Sequence, residues 1–167
     1  MVSGTSARLG LPMLAAGQAQ KEITHNEALT LLDIALCAAV DGTGTNVPPA
    51  NPAEGATWIV GDAPTGAWAG HADALAGWTA GGWRFVPAAE GTTAWVKARG
   101  VEARFRNGAW TIGQVTAASL VVDGLPVVGA RRPSIAAPVG GATADDEARR
   151  AVAAILETLR SHGLIER

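Results

Sequence analysis

The sequence predicts an α+β fold: a long N-terminal helix, a small, mostly antiparallel, Trp-rich β unit and a C-terminal helix. The whole is expected to be elongated and to assemble as an intertwined or side-by-side homotrimer. Three observations lead there. Residues 15–40 hold no proline and no glycine after Gly17, all six tryptophans fall between Trp58 and Trp110, and the C-terminal stretch carries a full set of helix start and stop signals. Of the 167 residues, 35 are Ala and 21 are Gly, so bulky core formers are scarce. A chain with so little side-chain volume is expected to complete its core by oligomerising. Four segments follow: a helical attachment and trimerisation segment at 1–45, a Trp-rich β domain at 46–115, a β-hairpin connector at 116–141 and a trimerisation helix at 142–167.

The first helix is expected over residues 15–40, ending at Asp41-Gly42-Thr43-Gly44. His25, Leu29, Leu32, Leu36 and Ala39 form one stripe at 3,4 spacing, and Leu31, Ile34, Ala35 and Ala38 flank it. Leu29, Leu32 and Leu36 are therefore candidate trimer-interface residues. The preceding run, with Gln18, Gln20, Lys21, Glu22, His25 and Asn26, is polar nearly all round. Such a stretch is either solvated or buried against an axis or a partner.

Prolines make residues 46–56 an extended linker. Short strands are expected at 57–60, 83–86, 93–98, 102–106 and 110–112, with Asn107-Gly108 turning the last two into a hairpin. A second hairpin, 120–122 with 126–128, turns through Asp123-Gly124. Strand alternation puts Trp83 with Phe85 in the core, and likewise Trp58 with Val60 and Trp110 with Ile112. Trp95 shares its face with Thr93 and Lys97, which predicts half-exposure or an interface. Trp68 and Trp78 lie in a Gly- and Ala-rich stretch with no strand pattern. Two readings stay open for them: a lid over a small core, or a carbohydrate-binding surface with His71 and Asp73 as hydrogen-bonding neighbours.

In the last helix Thr143 is placed to cap and Asp146 completes a capping-box-like pair. Asp145, Asp146 and Glu147 sit at the positive end of the helix dipole, and Arg160 and His162 at the negative end. Gly163 suits a left-handed stop, with Leu164 meeting Leu159. Ala148, Val152, Ile155 and Leu159 form an apolar stripe. It packs either on the chain's own β unit or on copies of itself, which makes Val152, Ile155 and Leu159 candidate interface residues.

The net charge of −2 excludes a non-specific nucleic-acid binder. The single cysteine, Cys37, rules out an internal disulfide and is expected to be a buried free thiol. No run is long and apolar enough to insert in a membrane, and residues 9–16, broken by Gly10 and Pro12, do not read as a signal peptide. Phosphate-loop, dinucleotide, zinc-protease and serine-hydrolase motifs are all missing. Glu22 and His25 have a di-iron spacing in one copy where two are needed. No catalytic residue, metal or cofactor is expected, and the chain is not expected to be an enzyme.

The run Leu9-Gly-Leu-Pro-Met-Leu-Ala-Ala-Gly-Gln-Ala-Gln-Lys-Glu-Ile-Thr-His-Asn-Glu-Ala-Leu29, followed by Asp33, resembles the opening of a domain family of unknown function. That family occurs in phage, prophage and gene-transfer-agent tail fibre proteins. The likeness continues through Pro-Ala-Glu-Gly55, Trp-Ile-Val-Gly61, Thr-Gly-Ala-Trp-Ala-Gly70 and Gly-Gly-Trp-Arg-Phe-Val86, covering residues 9–99. The C-terminal part, Val-Val-Gly-Ala-Arg-Arg-Pro-Ser-Ile135 and Ala-Arg-Arg-Ala-Val-Ala-Ala-Ile-Leu156, is similar to the ends of phage fibre proteins. The resemblance implies a virion structural component of the tail, assembled in the bacterial host cytoplasm as a homotrimer. It further implies tail or baseplate proteins as partners and contact with host surface polysaccharide; the polar run at 18–27, on a helix whose continuation is apolar, is expected to serve the attachment.

Overall fold

The computed structural model describes residues 4–15, 17, 21–137, 139 and 145–166. The chain divides into two compact units, Met1–Gln114 and Val115–Arg167.

In the first unit, α1 (Lys21–Ala35) is followed by β1 (Ala39–Val40), β2 (Gly42–Thr45), β3 (Thr57–Val60), a 3-10 turn (Gly66–Trp68), β4 (Leu75–Thr79), β5 (Gly82–Val86), β6 (Thr93–Val96), β7 (Val101–Arg106) and β8 (Ala109–Ile112). They form two four-stranded sheets, ordered β1-β6-β7-β8 and β2-β3-β4-β5. The β1–β6 and β2–β3 pairs are parallel and the others antiparallel. The chain passes from one sheet to the other at Asp41, whose N–H donates to Thr57 O and whose Oδ2 accepts from Thr57 N. Lys97, just past β6, meets both oxygens of the same carboxylate at 2.9 and 3.0 Å. One aspartate thus fastens both sheets.

The main core gathers Ile34 and Ala38 with Val40, Ala94, Val96 and Ala103 from the β1-β6-β7-β8 sheet and Ile59 and Leu75 from the β2-β3-β4-β5 sheet, all at most 3% exposed. Helix α1 approaches the sheet closely at Gly77, where a Cβ would fall 2.5 Å from Ile34 Cγ1. Only glycine permits that packing distance.

The long N-terminal helix is absent, and α1 has 15 residues. Residues beyond it leave the helix although no glycine or proline marks the spot. Cys37 takes φ 45°, Ala39 and Val40 pair with Trp95 and Val96, and Val40 becomes fully buried. Strand pairing and core burial outweigh helix propensity here. Leu36 consequently lies outside the helical stripe, and Cys37 is exposed rather than buried. Of the expected terminator at 41–44, residues 42–44 belong to strand β2, with Gly42 leaving room for the Trp58 indole across the ladder. Strand β4 is also additional, since its Leu-Ala-Gly-Trp-Thr sequence hides the alternation. The 107–108 turn forms as expected, with φ of 50° and 77° at Asn107 and Gly108.

A looped N-terminal strap fixes the end of α1. Ser6 N donates to Leu11 O, Met13 N to Gly4 O, and Thr5 bridges Pro12. The strap is held by Asp33, only 4% exposed, whose carboxylate accepts from Ser6 Oγ at 2.6 Å, Arg8 N at 2.9 Å and Leu9 N at 2.6 Å. Arg8 reaches back and donates to the carbonyls of Asp33, Ile34, Leu36 and Cys37. Side chain and backbone cap the helix reciprocally.

The second unit contains the hairpin β9 (Leu120–Val122) and β10 (Leu125–Val128) and the helix α2 (Asp146–Ser161). Asp123 and Gly124 at φ 50° and 78° make the expected turn. Asp145 caps α2 by accepting from Ala148 N at 2.9 Å, which displaces the cap predicted at Thr143, a residue outside the described set. The helix stops as expected at Gly163 (φ 70°), with Leu164 N bonded to Leu159 O and Gly163 N to Arg160 O. Residues 131–135 clasp the chain end: Arg132 and Ile165 form a parallel bridge, and Arg160 donates to Ile135 O.

Asp33→Ala is expected to destabilise the first unit by about 2–4 kcal/mol, since it strands one buried and two part-buried donors. Denaturant unfolding measures the loss. Asp33→Asn, which keeps an acceptor, should fall between the two, and limited proteolysis of the alanine variant should begin in the strap.

Candidate functional site

The polar run on α1 turns out to be largely structural. Asn26 grips Leu14 through both backbone groups, its Oδ1 accepting from Leu14 N and its Nδ2 donating to Leu14 O at 2.9 and 3.0 Å. Glu22 accepts from Gly17 N, and its Oε2 is buried without a partner among the described residues. His25 is exposed, with Nδ1 bonded to Lys21 O four residues back. Lys21 is exposed, whereas Gln18 and Gln20 lie outside the described residues. Of the described candidate attachment residues, Lys21 and His25 are therefore the ones that face solvent.

The strap, α1 and the β4–β5 hairpin line a cleft of about 250 Å³ that includes Ser6, Glu27, Asp33, Glu54 and Arg84. Its polar groups are mostly occupied. Asp33 holds the strap, and Arg84 Nε sits 2.8 and 3.0 Å from the two oxygens of Glu27. This chemistry joins α1 to β5, and Glu54 is a further carboxylate in the cleft lining.

Trp83 is the hub of an aromatic cluster on the far face of the β2-β3-β4-β5 sheet. Its ring centroid lies 5.5 Å from Trp58, 5.1 Å from Trp68 and 5.0 Å from Trp78, each in an edge-on arrangement that aromatic quadrupoles favour. Trp68 is completely buried beside Val60 and Ala76. It plugs the face as a lid, with its Nε1–H unpartnered among the described residues, and offers no ring face to a sugar. Trp78 is half-buried against Trp83. His71 lies flat on Phe85 at 3.7 Å and 4°. Asp73 stands apart: its carbonyl accepts from Trp110 Nε1 at 2.8 Å, and it lines a separate cleft with Thr43, Asp62 and Trp110. The four residues expected to form a glycan surface are not gathered around one opening.

The interface candidates divide similarly. Leu32 (46%) and Leu36 (49%) are exposed and Leu29 is half-buried; Val152 (42%) and Ile155 (59%) are exposed and Leu159 is half-buried. Sequence reasoning missed Asp33, and the available signal was an acid set among Leu31, Leu32 and Ile34. Among the described residues no three His, Cys, Asp or Glu side chains converge as metal ligands, and no helix is long and apolar enough to cross a membrane.

Trp68→Ala should lower stability by about 3–5 kcal/mol, the range for emptying a buried aromatic site. A thermal midpoint near that of the parent protein would show that Trp68 is not the lid its burial indicates.

No curated protein matches the chain. Residues 25–111, from the middle of α1 into β8, match the family model described as "Protein of unknown function (DUF2793)". The match lies wholly within the first unit and covers both of its sheets. Spanning more than half of the sequence, it makes the chain a member of that family.

Proposed function

We propose that this protein is a structural subunit of a phage or gene-transfer-agent tail, a tail fibre or tail-tip adaptor that assembles as a homotrimer. The observation that supports it most is the uncovered apolar surface of the second unit. Leu120, Val121, Val122, Leu125, Val127 and Val128 are 42–69% exposed, and the hairpin is apolar on both faces. Val152 and Ile155 add an exposed stripe on α2, while the buried hydrophobic residues among those described in this unit are Leu156 and Ile165. A two-stranded hairpin is marginal in water by itself, and a monomer rarely tolerates such a patch. Copies of the same chain, related by a symmetry axis, supply the missing cover.

The resemblance of residues 9–99 and of the C-terminal part to tail fibre proteins supplies the setting. In this reading the second unit joins the three chains, and the first unit is a rigid module that meets neighbouring tail or baseplate proteins. Lys21 and His25, two solvent-facing members of the polar run, are the attachment residues. The virion tail is then where the protein resides, after assembly in the host cytoplasm.

Light scattering should return a trimer mass at micromolar concentration, and immunogold labelling should place the protein on the tail. Ile155→Asp should release monomers, because a buried unpaired charge costs several kcal/mol per copy. A parent protein that is monomeric at micromolar concentration would overturn the assembly.

A further inference from the structure

The outer face of the β1-β6-β7-β8 sheet carries an indole that the core does not use. Alternation along β6 sends Ala94 and Val96 inward, each 3% exposed, and leaves Thr93 and Trp95 on the opposite side. Trp95 is 51% exposed, whereas the other five tryptophans are buried or half-buried. The register sets Glu102 directly across from Trp95 and Arg104 across from Thr93. Arg104 Nη2 lies 3.2 Å from Glu102 Oε1, and Lys97 pairs with Asp41. The Trp95 ring extends toward the turn before β7, where Gly100 places no side chain beside Cζ2.

We propose that this face binds a neutral saccharide, with a pyranose ring lying on the Trp95 indole and its hydroxyls hydrogen-bonded to Glu102 and Arg104. The surroundings of Trp95 select that class of ligand. A protein partner would be met by further large apolar side chains around the anchor, yet the residues beside it on the sheet are the small Ala39 and the polar Thr93, Lys97, Glu102 and Arg104. An anionic polymer would require surplus positive charge, yet Lys97 and Arg104 are each matched by a carboxylate. A pyranose has an apolar C–H face for the ring and a rim of hydroxyls for paired acids and bases. Both strands are regular and hydrogen-bonded, so the platform is preorganised and little order is lost on binding. The inference is independent of the tail assignment, because it concerns the first unit and a face that trimer formation through the second unit does not require.

The test titrates the full chain, carrying isotope-labelled tryptophan, with maltohexaose, cellohexaose and chitohexaose, and follows the indole N–H resonances. At least one of these glycans should shift the Trp95 resonance, identified by its loss in Trp95→Phe. Trp95→Ala should weaken binding roughly tenfold or more, and Glu102→Gln with Arg104→Gln severalfold. Thermal midpoints should stay near that of the parent, since these side chains lie outside the core. Three silent titrations, or unchanged binding by Trp95→Ala, would overturn the proposal. So would a Trp95→Ala protein whose oligomer mass falls without a loss of glycan binding, which would make Trp95 an interface residue.

Discussion

The point at which α1 stops governs the rest of the first unit. A helix end leaves four carbonyls without partners, and Arg8 supplies donors to carbonyls at that end while its charge complements the dipole. Asp33 has the wrong charge for a helix C-terminus, a penalty of about 0.3–1 kcal/mol. Three donors to its carboxylate outweigh that, since hydrogen bonds to charged groups contribute about 1.5–3 kcal/mol each. With the helix ended at Ala35, residues 38–45 become available as strands. Val40 enters the core, Asp41 meets Thr57 and Lys97, and the chain crosses from one sheet to the other. A longer helix would remove the first strand of each sheet.

Side-chain volume is the second constraint. A chain with 35 Ala and 21 Gly must fill space with few large residues, and it concentrates that volume in tryptophan. Fully burying one indole removes about 150–250 Å² from water, worth about 4–6 kcal/mol of transfer free energy. Small residues work in the opposite sense, by drawing elements together. Gly77 admits Ile34, Gly42 admits the Trp58 indole, and Ala76 lies beside the completely buried Trp68. Close approach at some positions and large aromatic fillers at others yield a packed interior from an unusual composition.

What the sequence made legible was local. The turns at 107–108 and 123–124, the strand at 57–60 and the stop at Gly163 each rest on residues within a few positions of one another. What it hid depended on distant partners. Nothing near Leu36 announces a helix end, because the signal is Arg8, 28 positions away. Strands β2 and β4 lack alternation, because glycine and alanine occupy positions set by α1 and Trp58. The polar run on α1 looked available to a partner because the Leu14 backbone, which occupies Asn26, contributes no side-chain pattern. Trp68 had no strand to orient it, and its place under Trp83 follows only from the 3-10 turn that carries it. Trp95 was readable because the alternation Thr93, Trp95, Lys97 assigned it to the outer face before any packing was known.

The second unit inverts this balance between local and distant information. Its turn, N-cap and C-terminal stop are all specified by near neighbours, yet they support a unit whose hairpin side chains are uncovered. Strong local signals allow elements to form without a large core, and under the proposed assembly, cover supplied by other copies would make their stability depend on concentration. The clasp of residues 131–135 on the chain end also orients α2 before assembly: Arg160 binds Ile135 O, and Arg131 binds Ile165 O. Under the proposed assembly, that order lowers the entropy lost when chains associate, because the helix need not be positioned at the moment of binding. The first unit needs no such help, since Asp33, Asp41 and the Trp83 cluster close it internally. The first unit closes its own core, whereas the hairpin and α2 leave apolar side chains exposed that the proposed assembly would cover.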